Sequence, residues 1–178
     1  MKISGTIITL NAEKYILRAV ESLKLISDEV IVLDSDSTDS TRKIAESAGA
    51  KVYIQSFLGD GPQKKEASKY ASNDWVFSLD ADEYLDKDLI DYVNNIKHFD
   101  NKYDSFAFRR KNFCGDEWIK AAGFYPDYVT RLYDKTKVNY DPRVDHAAVQ
   151  SKKTTKVKAH IIHNLSLIHI SEPTRRLA

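Results

Sequence analysis

The sequence predicts an α/β fold organised around a central, mostly parallel sheet. Two observations support this prediction. Four short apolar runs, rich in β-branched and aromatic residues, alternate with segments whose apolar residues recur at helical spacing. The short connections between these segments favour parallel strands joined by right-handed helical crossovers. With 178 residues, of which 42% are hydrophobic, the chain has the size of one domain with an ordinary core.

The predicted elements follow one another in a regular order. Strands are expected at residues 3–10, 29–33, 51–55 and 75–79, and helices at residues 13–25, 41–48, 62–70 and 85–96. Asn11 suits a cap for the first helix, Gly49 ends the second, and Pro62 stands at the first position of the third. This succession is Rossmann-like, and such sheets bind nucleotides beyond the carboxyl ends of their strands.

The pattern changes after residue 100. Three further strands are predicted at residues 105–109, 129–133 and 156–163, among loops rich in aromatic residues. We expect residues 1–100 to form a nucleotide-binding half and residues 101–164 a smaller strand region that shapes the pocket of a second substrate, since loops on a rigid sheet commonly carry recognition. Leu165–Arg175 is similar to a translated sequencing-library adaptor, so residues 165–178 are expected to be a non-native tail.

Composition excludes several classes of function. The formal net charge of +1 gives no overall attraction to nucleic acid, and no nucleic-acid partner is predicted. The single cysteine, Cys114, cannot form an intramolecular disulfide and fits a reducing compartment. The N-terminal apolar run is too short to span a bilayer and lacks a signal-peptide cleavage pattern. We therefore expect a cytoplasmic protein.

Paired carboxylates are the most informative feature of the sequence. Asp-x-Asp occurs three times, at Asp34/Asp36, Asp80/Asp82 and Asp86/Asp88, and only the first two pairs follow apolar runs that are typical of strands. Carboxylates at the end of a buried strand can hold Mg²⁺ or Mn²⁺ together with substrate phosphates. Neither GxGxxG after the first strand nor GxxxxGK[ST] occurs, so phosphates would be held by a metal and by side chains.

Five motifs in order resemble glycosyltransferase family 2: ITLNAE, VLDSDSTDST, GDGPQKKEAS, SLDADE and YPDYVTRLYD. The likeness covers roughly residues 2–164 and is closest in kind to bacterial enzymes that add sugars to the lipopolysaccharide core. The resemblance implies a GT-A fold, an inverting mechanism, a nucleoside-diphosphate-sugar donor (a UDP-hexose at family level) and Mg²⁺ or Mn²⁺. It also implies a lipid-linked saccharide acceptor and peripheral contact with the inner membrane. On this resemblance, residues 1–100 are the nucleotide-sugar (donor) binding half and residues 101–164 a truncated acceptor-side half.

The resemblance also implies roles for individual residues. The donor-nucleotide set is Thr9, Asn11, Asp34, Gln63, Lys64 and Asp80. Within the DxD pair, Asp80 is expected toward the ribose and Asp82 on the metal. Many relatives carry a second acid directly after the position of Asp34, where this chain has Ser35.

The resemblance leaves the catalytic base open between two acids. An inverting transfer needs a base that takes the proton of the acceptor hydroxyl. The candidates are Asp127, in YPDY, and Asp145, in RVDHA, where relatives often carry His-Glu. Arg131, four residues after Asp127, could contact a phosphate. The histidines His146, His160 and His163 are too dispersed in sequence to predict a zinc site.

Other interpretations of the same residues stay open. Asp80 and Asp82 could cap the following helix, and Lys64 could lie on a solvated basic face. A sugar nucleotidyltransferase would use similar metal-binding acids, although it would normally carry a glycine-rich basic loop after the first strand. A catalytically inactive nucleotide-sugar-binding fragment is a third hypothesis, because acceptor-binding segments could lie beyond Asn164.

Overall fold

A computed structural model describes residues 1–98, 102–121, 123–141, 148–149 and 151–165. It confirms the predicted α/β fold. In the N-terminal half, residues 1–98, the elements are β1 (Ile3–Thr9), α1 (Ile16–Lys24), β2 (Glu29–Asp34), α2 (Thr41–Ser47), β3 (Lys51–Ile54), α3 (Asp60–Lys69), β4 (Trp75–Asp80), β5 (Glu83–Leu85) and α4 (Lys87–Ile96). In the C-terminal half, the described part of residues 102–165, they are β6 (Ser105–Cys114), β7 (Glu117–Ile119), β8 (Asp127–Asp134) and β9 (Thr154–Asn164).

The described strands form one sheet in the order β3-β2-β1-β4-β8-β6-β9-β5, with β7 paired to β6. Strands β3, β2, β1 and β4 are mutually parallel, as expected for helical crossovers. Strand β8 then runs antiparallel to both β4 and β6, and β9 lies parallel to β6. The sheet is therefore continuous from the N-terminal half into the C-terminal half.

The register of β1 with its neighbours positions the site. Thr9 is opposite Asp34 on β2, and Ile8 is opposite Asp80 on β4. The carboxyl ends of these three strands consequently meet at one edge of the sheet, where the sequence places its polar side chains. β1 is buried along almost its whole length, as is usual for a parallel strand covered on both faces.

One hydrophobic core joins the two halves. Its buried members include Ile7 and Phe77 from the parallel strands and Phe106 and Phe108 from β6. Tyr92 on α4 packs edge-on against Phe106 and Phe108, with ring centroids 6.5 and 6.3 Å away. Burial of aromatic rings between the halves fixes the position of β6 and β8 against β4.

Two local predictions were wrong. The fourth helix begins at Lys87 and not at residue 85, because Glu83–Leu85 forms β5 and pairs antiparallel with β9. Asn11 does not cap α1, whose N-cap is Tyr15. Asn11 has a positive φ of 48°, and its Oδ1 accepts a hydrogen bond of 2.8 Å from the backbone of Thr38. Both features depend on contacts between segments far apart in sequence.

Among the described residues, no helix is both long and apolar enough to cross a membrane.

Candidate functional site

A cleft of about 1090 Å³ opens at the carboxyl ends of β1 and β4 and is bounded on its far side by β8. It contains five of the residues singled out from the sequence for nucleotide and metal binding: Thr9, Asn11, Lys64, Asp80 and Asp82. The C-terminal half contributes Arg110, Tyr128, Arg131 and His163 to the same cleft. The structure therefore brings most of the predicted donor residues together in one concave site.

Asp80 lies between two cations. One carboxylate oxygen is 2.8 Å from Lys64 Nζ, and the other accepts a hydrogen bond of 2.9 Å from Arg131 Nη2. Burial opposes ionisation, but Arg131 and Lys64 outweigh it and hold the pKa of Asp80 well below its usual range. Asp80 is therefore a permanent anion, and it fixes Lys64 and Arg131 at the cleft wall.

A chain of ion pairs connects Asp80 to Asp127 through Arg131, Glu83 and Arg110. Glu83 is fully buried and accepts hydrogen bonds from Arg131 at 2.8 Å and from Arg110 at 3.2 Å. Arg110 in turn binds Oδ2 of Asp127 through Nε and Nη2, at 2.8 and 2.7 Å. Since Asp80 and Glu83 come from one half and both arginines from the other, these ion pairs connect the two halves.

Asp82 faces the imidazole of His163, and Asn112, on the other side of the ring, determines which ring nitrogen carries the hydrogen in the neutral form. The Nδ2 of Asn112 donates to the Phe124 carbonyl, so its Oδ1 is the acceptor for His163 Nδ1, 2.7 Å away. In neutral His163 the other nitrogen, Nε2, then presents a lone pair to Asp82 Oδ2 at 3.2 Å. Two lone pairs at this separation are satisfied by a proton or by a metal cation held between them.

The carboxylate and imidazole form a suitable donor set for a divalent metal. Carboxylate oxygen suits Mg²⁺ and Mn²⁺, and neutral imidazole is a common ligand for transition metals. The Asn112 amide supplies the outer hydrogen bond that usually orients a metal-binding histidine. The residues present therefore fit the predicted Mg²⁺ or Mn²⁺, and Asp82 and His163 are the groups that would hold it.

Thr9 carries a buried hydroxyl that lacks a hydrogen-bond partner among the described residues. The side chain lines the cleft at the end of β1 and is 5% exposed. A buried hydroxyl without a partner loses free energy on folding, which a ligand hydrogen bond would recover. Thr9 is therefore well placed to bind a polar group in the cleft.

Two predicted donor residues lie behind the cleft wall. Asp34 is fully buried, and its carboxylate accepts hydrogen bonds from the backbone and hydroxyl of Ser37. Gln63 is also fully buried and donates to the hydroxyl of Ser35 at 3.1 Å. Ser35 itself lines the cleft. Nucleotide contacts by Asp34 and Gln63 stay predictions, and their observed contacts support the loop that carries Ser35.

Of the two candidate bases, Asp127 lies within the described residues and next to the cleft. Asp127 begins β8 and is 27% exposed, and its neighbour Tyr128 and its partner Arg110 both line the cleft. Asp145 lies outside the described residues.

Sequence reasoning missed His163 and Arg110 as cleft residues. His163 was set aside because the histidines are scattered along the chain. It reaches Asp82 only because β9 pairs with β5, which puts Glu83 opposite His163. Both residues lie at or next to the end of a predicted strand, which is the signal that the sequence offered. The strands that pair with β6 and β9 could not be identified from the sequence.

A second acidic group lies outside the cleft. Asp86, Asp88 and His160 bring possible ligand atoms within 4.8 Å of one another. Their atoms already have protein partners: Asp86 caps α4 and approaches Lys111, and His160 Nδ1 binds Asp88 at 2.7 Å. The third Asp-x-Asp pair thus also follows a strand, the short β5, contrary to the sequence analysis.

Two relatives show how the chain compares with curated proteins. It is 43% identical over 137 residues to an uncharacterized glycosyltransferase of Rickettsia conorii, with 75% of this chain and 48% of the relative covered. It is 37% identical over 151 residues to the lipopolysaccharide core biosynthesis glycosyltransferase LpsC of Rhizobium meliloti, with 79% and 54% covered. The chain thus spans about half the length of the curated relatives it matches.

Two solved structures share the fold. Staphylococcus aureus TarS in complex with UDP-GlcNAc superposes with a TM-score of 0.67 at 21% identity, covering 97% of this chain and 61% of that one. Glucosyl-3-phosphoglycerate synthase of Mycobacterium tuberculosis with Mg²⁺ and UDP gives a TM-score of 0.51 at 25% identity, covering 61% and 43%. The family profile "Glycosyl transferase family 2" matches residues 4–161. The chain therefore has the GT-A fold and belongs to glycosyl transferase family 2.

Proposed function

We propose that this chain carries the donor site of an inverting glycosyltransferase that moves a hexose from a UDP-sugar to a saccharide acceptor of the cell envelope. The observation that supports this most strongly is the single cleft in which Thr9, Lys64, Asp80 and Asp82 meet. The relationship to LpsC supports a lipopolysaccharide-core acceptor linked to lipid. A cytoplasmic position, peripheral to the inner membrane, belongs to the same proposal.

The donor nucleotide would be bound by groups that the fold already positions. The hydroxyl of Thr9 supplies a hydrogen-bonding group without a partner among the described residues. The Asp80 side chain is 28% exposed, and we propose that it contacts the ribose. Lys64 and Arg131 place positive charge where a diphosphate would lie. Charge-assisted hydrogen bonds of this kind are stronger than neutral ones.

Asp82 and His163 would hold Mg²⁺ or Mn²⁺ beside these cations. When bound, the metal supplies Lewis-acid stabilisation of negative charge on the diphosphate leaving group. The complex of glucosyl-3-phosphoglycerate synthase with Mg²⁺ and UDP supports this combination of ligands. Asn112 keeps His163 in the tautomer that presents Nε2 to the cleft, so it acts as a positioning residue.

Asp127 is the base that we propose for the acceptor. Its Oδ2 accepts from both Nε and Nη2 of Arg110, and these two contacts orient the carboxylate. In one displacement step, the acceptor oxygen bonds to the anomeric carbon, its proton passes to Asp127, and the bond to the UDP oxygen breaks with its electron pair leaving on UDP. Attack opposite the leaving group inverts the anomeric centre. Asp145 stays the alternative base.

A nucleotide-binding and product assay tests this function. Isothermal titration should show that UDP binds more tightly than GDP or CDP and that Asp127→Asn keeps UDP binding. With UDP-α-glucose and a lipopolysaccharide-core oligosaccharide, NMR of the product should show a β-linkage that Asp127→Asn no longer forms. An α-linked product would contradict inversion.

The two other hypotheses predict different results in the same assay. Release of pyrophosphate from UTP and glucose 1-phosphate would identify a sugar nucleotidyltransferase instead. UDP-sugar binding without transfer to any core oligosaccharide would favour a binding fragment. Our proposal predicts transfer to the oligosaccharide and no pyrophosphate release.

A further inference from the structure

We propose that a surface next to the cleft recognises a phosphate or carboxylate group on the saccharide acceptor. This inference rests on the proposed function and specifies the chemistry of its acceptor. The surface, called the basic aromatic surface below, consists of Arg109, Trp118, Lys120, Tyr125, Tyr128 and Lys156. It combines aromatic faces with cations, and nothing in the donor chemistry described above uses it.

Arg109 is the centre of this surface and is oriented by two tyrosines. Its Nε donates to the Tyr128 hydroxyl at 3.0 Å, and its Nη1 donates to the Tyr125 hydroxyl at 3.1 Å. The guanidinium carbon lies 5.7 and 5.8 Å from the centroids of the same two rings. These contacts fix the planar guanidinium without neutralising its charge, which is suitable for binding an anion through two parallel hydrogen bonds.

Two lysines extend the positive charge across the aromatic rings. Lys120 Nζ is 4.2 Å from the Trp118 ring centroid, and Lys156 Nζ is 5.1 Å from that of Tyr128. Tyr125 packs edge-on against Trp118 at 5.0 Å, so the rings form one group. Aromatic faces can contact the apolar side of a sugar ring, while cations can bind a charged substituent.

Two carboxylates near this surface, Asp86 and Asp88, are already paired with other groups. Lys111 lies 3.4 Å from Asp86, and His160 is 2.7 Å from Asp88. Among the residues that the structure describes, Arg109, Lys120 and Lys156 form no ion pair, whereas the cleft cations Lys64, Arg110 and Arg131 all do. The cleft cations thus have internal counterions, and the basic aromatic surface is complementary to an external anion.

Tyr128 connects this surface to the reaction site. It lines the cleft, its hydroxyl holds Arg109, and it directly follows Asp127 on β8. In the sheet, Arg109 is opposite Tyr128 and Arg110 is opposite Asp127. Tyr128 therefore borders both the cleft and Arg109, and the surface fits a sugar acid or sugar phosphate in an acceptor that reaches the cleft past Tyr128.

Binding of simple sugars to the whole chain tests the inference independently of catalysis. The probes are glucose, glucose 6-phosphate and glucuronic acid, titrated at low salt and followed by protein NMR. We expect both anionic sugars to bind about tenfold more tightly than glucose, and Arg109→Gln to remove this preference. Lys158→Gln, a change of an exposed lysine on the neighbouring strand β9, is the matched control and should leave the preference intact.

Four results would overturn the inference. These are equal affinity for glucose and glucose 6-phosphate, no loss of preference in Arg109→Gln, inorganic phosphate binding as tightly as glucose 6-phosphate, and a response of Arg109→Gln confined to phosphatidylglycerol vesicles. The last would assign the surface to a membrane. UDP titration of the unsubstituted chain separates the two proposals, since absent UDP binding would contradict the donor function whatever the sugars show.

Discussion

The N-terminal and C-terminal halves contribute to the same cleft by different physical means. In the N-terminal half, parallel strands end together and deliver Thr9, Asp80 and Asp82 through register alone. In the C-terminal half, Arg110, Arg131 and His163 reach the cleft through antiparallel pairing, and each binds a carboxylate of the N-terminal half. The acids of the family motif are therefore positioned by neighbouring parallel strands, whereas their partners in the C-terminal half are positioned by pairing between segments far apart in sequence.

The largest expected effect comes from breaking the connection between the halves at Arg131. Arg131→Gln would leave the buried Glu83 and the partly exposed Asp80 without a shared cation, and removing one partner of a buried ion pair costs about 3–5 kcal/mol. The free energy of unfolding in urea should fall by this amount. Lys69→Gln, which removes an exposed ion pair within α3, is the control and should change stability little. A fall no larger than that of the control would contradict the role of Arg131.

A smaller effect is expected at Glu29, whose contacts lie within the N-terminal half. Glu29 accepts hydrogen bonds from Ser4, Lys51 and Ser72. Burial alone would raise the pKa of Glu29, but these hydrogen bonds lower it from 4.5 to about 2. Because the folded-state pKa is below the unfolded one, the stabilisation is complete above about pH 5 and is lost as pH falls toward 2.

Glu29→Gln measures this pH dependence. The substitution should lower stability by about 2 kcal/mol at pH 7, and the difference from the unsubstituted chain should shrink between about pH 5 and pH 2. Urea unfolding at several pH values gives both numbers. A difference that is constant over this range would show that Glu29 contributes through packing and not through its charge.

The smallest effect distinguishes a site hydroxyl from a structural one. Thr9 and Thr6 both lie on β1 with buried hydroxyls that lack partners among the described residues, but only Thr9 lines the cleft. Replacement by isosteric valine should leave stability unchanged or raise it by up to about 1 kcal/mol in both cases. Thr9→Val should also weaken UDP binding in a calorimetric titration, while Thr6→Val should not. Equal UDP affinity in the two variants would remove Thr9 from the donor site.

The N-terminal half could be predicted well because its information is local. The strands, the helices and the placement of Asp80 and Asp82 follow from apolar runs and from acids at strand ends. The prediction was less accurate at Asp34, which the resemblance places among the donor-nucleotide residues. Its buried carboxylate binds Ser37 in the following loop, and the neighbouring Ser35 lines the cleft. A nucleotide contact by Asp34 stays a prediction beside this structural role.

The C-terminal half could be predicted only in outline. Its strands were recognised from their composition, but the pairing of β9 with β6 and β5 was not. The pairing of β9 decides the partner of Asp82, and the pairing of β8 with β4 and β6 decides the partners of Glu83 and Asp127. Antiparallel and mixed pairing between distant segments depends on register, which one sequence does not specify. His163 therefore emerged as a cleft residue only from the structure.

Metal-dependent UDP binding tests the central claim that Asp82 and His163 together form a metal site. The measurement is calorimetric titration of UDP with and without Mn²⁺, on the unsubstituted chain and on Asp82→Ala, His163→Ala and His160→Ala. We predict that Mn²⁺ strengthens UDP binding and that Asp82→Ala and His163→Ala abolish this increase, while His160→Ala keeps it. Loss of the increase in His160→Ala, with His163→Ala unaffected, would contradict the account and place the metal at Asp86, Asp88 and His160.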